Sequence, residues 1–190
     1  MELILASKSP RRSELLQDAG YKFKIICSDI DEETDKLKHL SSKDLVQVLS
    51  AKKAESVYKD HNNAVVLGSD TVVELDGEIL GKPKDCEDAK QMLLKMQDKW
   101  HSVFSGVTII GPKKRVTFVV ESKVKFKKLN MAQINEYVQR VDVLDKAGSY
   151  GIQDGTVVET YNGSYSNIVG LPMDEVKTEL EKFGVINGGN

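Results

Sequence analysis

The sequence predicts a mixed α/β protein, and three patterns carry that prediction. Strand-like and helix-like segments alternate from one end to the other. Residues 64–67, Ala-Val-Val-Leu, form a continuous apolar run of the kind found in a strand buried on both faces. Asp76-Gly77, set between residues 72–75 and Glu78–Leu80, is the strongest short hairpin signal in the chain.

Taken in order, residues 3–6 are a short apolar strand. Pro10–Asp18 is a helix opened by a proline that is preorganised for the first helical position and closed by Gly20. Residues 23–27 read as a strand, followed by an acidic loop over residues 29–35. Residues 41–58 form a long helix with Ser42 as the expected N-cap. The apolar run and the hairpin follow, then the amphipathic helix Cys86–Met96. Residues 103–110 and 116–126 are strands, the second ending in strict alternation, with Val124 and Phe126 between Lys123, Lys125 and Lys127. Its lysines, with Lys113-Lys114-Arg115, predict a solvated edge strand rather than an RNA platform, because few aromatics interleave them. Residues 130–140 are helical, residues 157–161 and 165–169 suggest a hairpin across Asn162-Gly163, and residues 173–183 close the chain as a helix. No repeat, low-complexity stretch or linker divides it, so residues 1–190 are expected to form a single domain.

At 190 residues such a domain buries roughly 70% of its unfolded surface and needs no disulfide or structural metal. Hydrophobic residues at 40% and charged residues at 29% exclude wholesale disorder. No apolar run approaches the roughly 20 residues of a membrane span. The early Lys8, Arg11 and Arg12 argue against a signal peptide. Two cysteines, Cys27 and Cys86, fit a reducing compartment. A net charge of -2 gives no general reason to bind nucleic acid or membrane. A cytoplasmic protein with neither partner is the expectation. His39, His61 and His101 are dispersed, so no zinc site is expected, and nothing resembles an acyl-transfer nucleophile elbow.

Several places carry chemistry. In Ala6-Ser7-Lys8-Ser9-Pro10-Arg11-Arg12 a strand feeds a helix start with two hydroxyls and three cations; it is either a phosphate cradle or a capped helix with solvated basic residues. Gly68-Ser69-Asp70-Thr71 places a carboxylate at the end of the apolar strand, where it either meets a metal or cation or caps a turn. Gly81-Lys82-Pro83 lacks the spacing and the hydroxyl of a Walker A loop. At about 100° per residue Lys53 falls in the middle of the arc formed by Leu45, Val46, Leu49 and Val57. It must therefore snorkel outward or meet a buried anion, Asp70 or a phosphate, while Lys52 lies nearer the solvated edge. The acidic run Asp29, Asp31, Glu32, Glu33, Asp35 is a solvated loop from which one or two carboxylates could ligate Mg²⁺. Asp145-Lys146-Ala147-Gly148-Ser149-Tyr150-Gly151-Ile152-Gln153 combines two glycines with an amide that can address a base edge, or is a plain polar turn.

Together with Gly170-Leu171-Pro172, these segments resemble the Maf family of nucleoside triphosphate pyrophosphatases, in the family's order and over nearly the whole chain. The resemblance implies a Maf/Ham1-like (ITPase-like) fold: an elongated, twisted mixed sheet with flanking helices, two lobes and a central cleft. It implies hydrolysis of a nucleoside triphosphate to the monophosphate and pyrophosphate with a divalent metal, Mg²⁺ or Mn²⁺. An association with restraint of septum formation in cell division, and a homodimer, come with it. By resemblance Asp70 is the proton acceptor, with Lys53 and Lys82 beside it in the chemistry. Ser7, Ser9, Arg11, Arg12, Thr71 and Gln153 bind substrate, and Glu32 joins Asp70 at the metal. Arg12, Thr71 and Gln153 agree with the branch acting on dTTP and UTP, including modified uridine triphosphates. The branch acting on 7-methyl-GTP carries an aromatic residue, a glutamine and a glutamate at those places. Two departures stand out. The glycine-rich stretch after Gln153 is about two residues shorter, as Asp154-Gly155-Thr156, and Ser105-Gly106 replaces a frequent Thr-Ala. Pyrophosphatase action on another non-canonical nucleotide, or a nucleotide-sensing role in division, are the alternatives.

Overall fold

A computed structural model describes residues 1–30, 37 and 39–188, so Asp31, Glu32, Glu33 and Asp35 of the acidic loop lie outside the described residues. The chain runs β1 (Leu3–Leu5), α1 (Pro10–Asp18), β2 (Lys24–Ile25), α2 (Ser42–Tyr58), β3 (Val65–Leu75), β4 (Glu78–Leu80), α3 (Cys86–Met96), β5 (Trp100–Gly111), β6 (Lys114–Phe126) and α4 (Met131–Arg140). Two 3₁₀ turns, Ala147–Ser149 and Ile152–Asp154, lead to β7 (Val158–Asn162), α5 (Tyr165–Val169) and α6 (Met173–Lys182). The strands form one mixed sheet in the order β2-β1-β3-β5-β6-β7, with β4 paired to β3. β1 is parallel to β2 and to β3, with Leu3 opposite Val65, whereas β3–β4 and β6–β7 are antiparallel. Among the described residues no helix is long and apolar enough to cross a membrane.

Contacts divide the chain into two units. The first holds Met1–Asp70, Ser105–Val120 and Gly170–Asn190; the second holds Thr71–Phe104 and Glu121–Val169. In the first, burial on both faces explains the continuous apolar run. Leu3, Leu5, Val65 and Leu67 pack with Leu16 of α1 and with Val176 and Leu180 of α6. Ile4, Ala6 and Val66 face the other way, onto Ala54 and Val57 of α2. Each buried Leu, Ile or Val among them contributes about 1.5–3 kcal/mol of transfer free energy. α2 lies tight on the sheet because two strand residues have no side chain. A Cβ on Gly68 would stand 2.5 Å from the Ser50 carbonyl oxygen, and one on Gly106 would overlap the Val46 carbonyl.

Three local expectations need correction. The N-cap of α2 is Ser41, not Ser42. The Ser41 hydroxyl accepts the Asp44 N–H at 3.2 Å from an extended backbone, while Ser42 is already inside the helix and buried. Residues 165–169 are not the return strand of a hairpin. Ser164 caps a helical turn there by accepting the Asn167 N–H at 3.2 Å, and β7 pairs with β6 instead, Val124 opposite Tyr161. That pairing also covers β6 over Lys123–Phe126, so along that stretch β7 rather than β6 is the edge. The alternation read there holds: Val124 and Phe126 are fully buried. Buried in the second unit, Phe126, His101 and Tyr150 meet edge to face, with ring centroids 4.7–5.3 Å apart.

Candidate active site

Asp70 does not end its strand. β3 continues five residues beyond it, because Thr71-Val72-Val73-Glu74-Leu75 keeps the strand pattern up to the Asp76-Gly77 turn, where both residues adopt positive φ. The carboxylate is therefore held by a central strand and is 8% exposed. Its partner comes from α2: Lys53 Nζ donates to Asp70 Oδ1 at 2.5 Å, and Lys53 is itself buried. Of the alternatives open to a lysine on an apolar helix face, the buried anion is realised, while Lys52 is exposed. Two charges leaving water together need this close contact, since either alone would carry an uncompensated desolvation cost.

The β1–α1 junction lies in the same unit. Ser9 stands at the N-cap position with no capping hydrogen bond from its side chain, Pro10 follows, and no acidic residue occupies the first turn of α1. The helix start thus presents N–H dipoles beside the Arg11 and Arg12 cations, and its own first turn adds no carboxylate. Ser7 is buried and inward: its hydroxyl oxygen accepts the Ser9 N–H at 3.2 Å and Arg12 Nη1 at 3.1 Å. Arg12 also donates from Nε to the Gly170 carbonyl at 2.8 Å, and the Ser69 hydroxyl reaches that carbonyl at 3.3 Å. Gly170 is the functional neighbour that residue-type reasoning missed; its signal was the Gly170-Leu171-Pro172 motif, and its φ of 127° is the reason for glycine.

The second unit carries Thr71, Lys82 and Gln153. Lys82 Nζ donates to Asp145 Oδ1 at 2.5 Å with both side chains largely in water, and the Gly148 N–H donates to the Gly81 carbonyl at 3.0 Å. Gln153 is exposed on the second 3₁₀ turn. Glu32 lies outside the described residues. Among the described residues no three His, Cys, Asp or Glu side chains gather as a metal cage. Asp70 supplies one hard carboxylate, which suits an ion held by one or two carboxylates and substrate phosphates.

The fold is one shared with a solved HAM1 protein from Coxiella burnetii, with a TM-score of 0.53 over 96% of this chain and 99% of that one at 11% identity. The family follows from sequence: a family model described as Maf-like protein matches residues 2–183, and the chain belongs to the Maf family. Two similar relatives are named dTTP/UTP pyrophosphatase. One, from Dictyoglomus turgidum, is 44% identical over 187 residues, 96% of each chain. The other, from Bacillus mycoides, is 44% identical over 184 residues, 96% of this chain and 95% of that one.

Proposed function

We propose that this protein, acting as one Maf-like domain, hydrolyses dTTP and UTP to the monophosphate and pyrophosphate. The observation that carries the reading is the buried Lys53–Asp70 pair, a fixed carboxylate in a chain whose relatives bear that activity in their names. Water attacks the α-phosphorus; the bond to the α,β-bridging oxygen breaks, and pyrophosphate leaves with the electron pair. Asp70 orients the water and accepts its proton, while Lys53 holds the carboxylate through Oδ1. Ser9, the start of α1 and Arg11 and Arg12 grip the triphosphate, with Ser7 keeping the Arg12 guanidinium in place. Lys82 exchanges the Asp145 carboxylate for departing pyrophosphate. Thr71 and Gln153 address the base, the amide matching the O4 acceptor and N3–H donor of uracil or thymine. A divalent cation, Mg²⁺ or Mn²⁺, held by Asp70 and Glu32, would neutralise phosphate charge when bound. The exposed free thiols of Cys27 and Cys86 fit a reducing cytoplasm.

Pyrophosphate release from dTTP, UTP, CTP, GTP, ATP and 7-methyl-GTP, with Mg²⁺ or Mn²⁺, tests this. Selective turnover of dTTP and UTP is expected, and Asp70→Asn should lower it about 10³-fold while nucleotide binding persists. Undiminished turnover in that variant removes Asp70 from the chemistry. Binding without turnover on every nucleotide would favour the nucleotide-sensing role.

A further inference from the structure

Gln153 stands on a turn whose two flanks are tied to one buried phenol. Tyr137, on α4, is 1% exposed and donates its O–H to Asp154 Oδ2 at 2.7 Å. The Gly151 N–H points at the same pair, 3.1 Å from Asp154 Oδ2 and 3.2 Å from the Tyr137 oxygen. Residues 151 and 154 are thus gathered on a single point, with Gln153 between them. The turn closes on itself as well: the Asp154 N–H donates to the Gly151 carbonyl at 3.2 Å and the Gly155 N–H to the Ile152 carbonyl at 3.3 Å. A Cβ on Gly151 would lie 2.9 Å from Asp154 Oδ2 and 3.2 Å from Gln153 Oε1, so a side chain there would push on both ends of the tie. On the other flank Tyr150 is anchored separately, its hydroxyl 2.8 Å from His101 Nε2.

The anchor is also firm. α4 begins with a complete capping box between Asn130 and Gln133, which fixes the register of the helix that carries Tyr137. Burial first, and the Asp154 hydrogen bond second, raise the Tyr137 phenol above its ordinary pKa, so it remains a donor.

We propose that Tyr137 and Asp154 are positioning residues that set base selectivity by holding the turn that presents Gln153. The inference rests on the reading of Gln153 as the base-addressing amide. Uracil and cytosine present opposite donor and acceptor patterns, and an amide has one group of each kind. Telling the bases apart requires the amide to be held to about 0.5 Å, which an exposed glutamine on an untied turn does not achieve.

The test is the ratio of kcat/KM for UTP to that for CTP, measured on the full chain. Asp154→Ala should lower this ratio by about tenfold and Tyr137→Phe by about fivefold, the scale of one misdirected polar contact. The double variant should lose no more than Asp154→Ala alone, because both act through one tie. Asp154→Asn, which keeps an acceptor oxygen, should bring the ratio back to within about twofold of the parent. Tyr137→Phe keeps the buried ring and so decides the matter if Asp154→Ala fails to fold. Gln153→Ala distinguishes the two levels of the argument. If it collapses the ratio while Tyr137→Phe and Asp154→Ala leave it intact, the tie is refuted and base reading stands. If Gln153→Ala leaves the ratio unchanged, base reading fails and the tie's role falls with it. Equal losses on UTP and CTP in Tyr137→Phe and Asp154→Ala would mark a structural role only and overturn the proposal.

Discussion

In the first unit Lys53 meets Asp70 at 2.5 Å with 11% of each side chain exposed; in the second, Lys82 meets Asp145 at the same distance with 63% and 44% exposed. Equal geometry here means unequal energetics. Water screens the exposed pair, so its contact is worth about 0–1 kcal/mol and is easily traded for another anion. The buried pair is largely out of water, so losing either charge leaves the other poorly compensated. A fixed carboxylate suits proton abstraction, and a loosely held lysine suits a group that must grip and release a phosphate. The second unit adds a third case in His101, buried with no opposite charge on its ring. It sits between Phe126 and Tyr150 with Nδ1 lacking a hydrogen-bond partner, and burial pushes its pKa down from 6.5 to about 4. Of these three buried ionisable groups, Lys53 and Asp70 are paired and His101 stays neutral at neutral pH.

The comparison breaks first at the buried pair. Lys53→Met fills the same space but takes the ammonium away from the buried Asp70 carboxylate, and should cost about 3–5 kcal/mol of stability, read from urea melts at neutral pH. A loss below 1 kcal/mol would mean that water already reaches the pair. The His101 case sharpens the contrast through pH. Its pKa is lower in the fold than in the unfolded chain, so the stability it contributes is present above pH 6.5 and is lost as pH falls towards 4. Between pH 7 and pH 5 this amounts to about 2 kcal/mol, and His101→Gln should flatten that part of the stability curve. An unchanged slope would assign the acid sensitivity to other groups. The smallest effect belongs to the exposed pair: Asp145→Asn should change stability by less than about 1 kcal/mol, with a difference that shrinks in high salt. A larger, salt-insensitive loss would show that Asp145 acts through contacts other than Lys82.

Wherever information is local, the fold was legible in the sequence. The periodicity of α2 placed Lys53 at the centre of an apolar face, and Asp76-Gly77 marked its turn because few residue pairs tolerate two positive φ values. Residues 64–67 read as a buried strand because a continuous apolar run can cover two faces, and both faces are covered. The helix read over residues 130–140 is α4, whose Asn130 cap bonds a residue only three positions away. The failures were choices between nearly equivalent local options. Ser41 and Ser42 are both fair caps, and residues 165–169 suit a strand as well as the helix that Ser164 opens.

By itself, then, the sequence determined the α/β class, most of the elements, and the inventory of groups able to do chemistry, because propensity and periodicity act over a few residues. Tertiary structure alone decided which of those groups meet. Lys53 reaches Asp70 across 17 residues of chain because Gly68 and Gly106 let α2 settle on the sheet. Arg12 finds the Gly170 carbonyl across 158 residues, and Tyr137 finds Asp154 across 17. Such pairings depend on how helices and strands stack, and no local pattern encodes a distance between elements that become neighbours only when the core has formed.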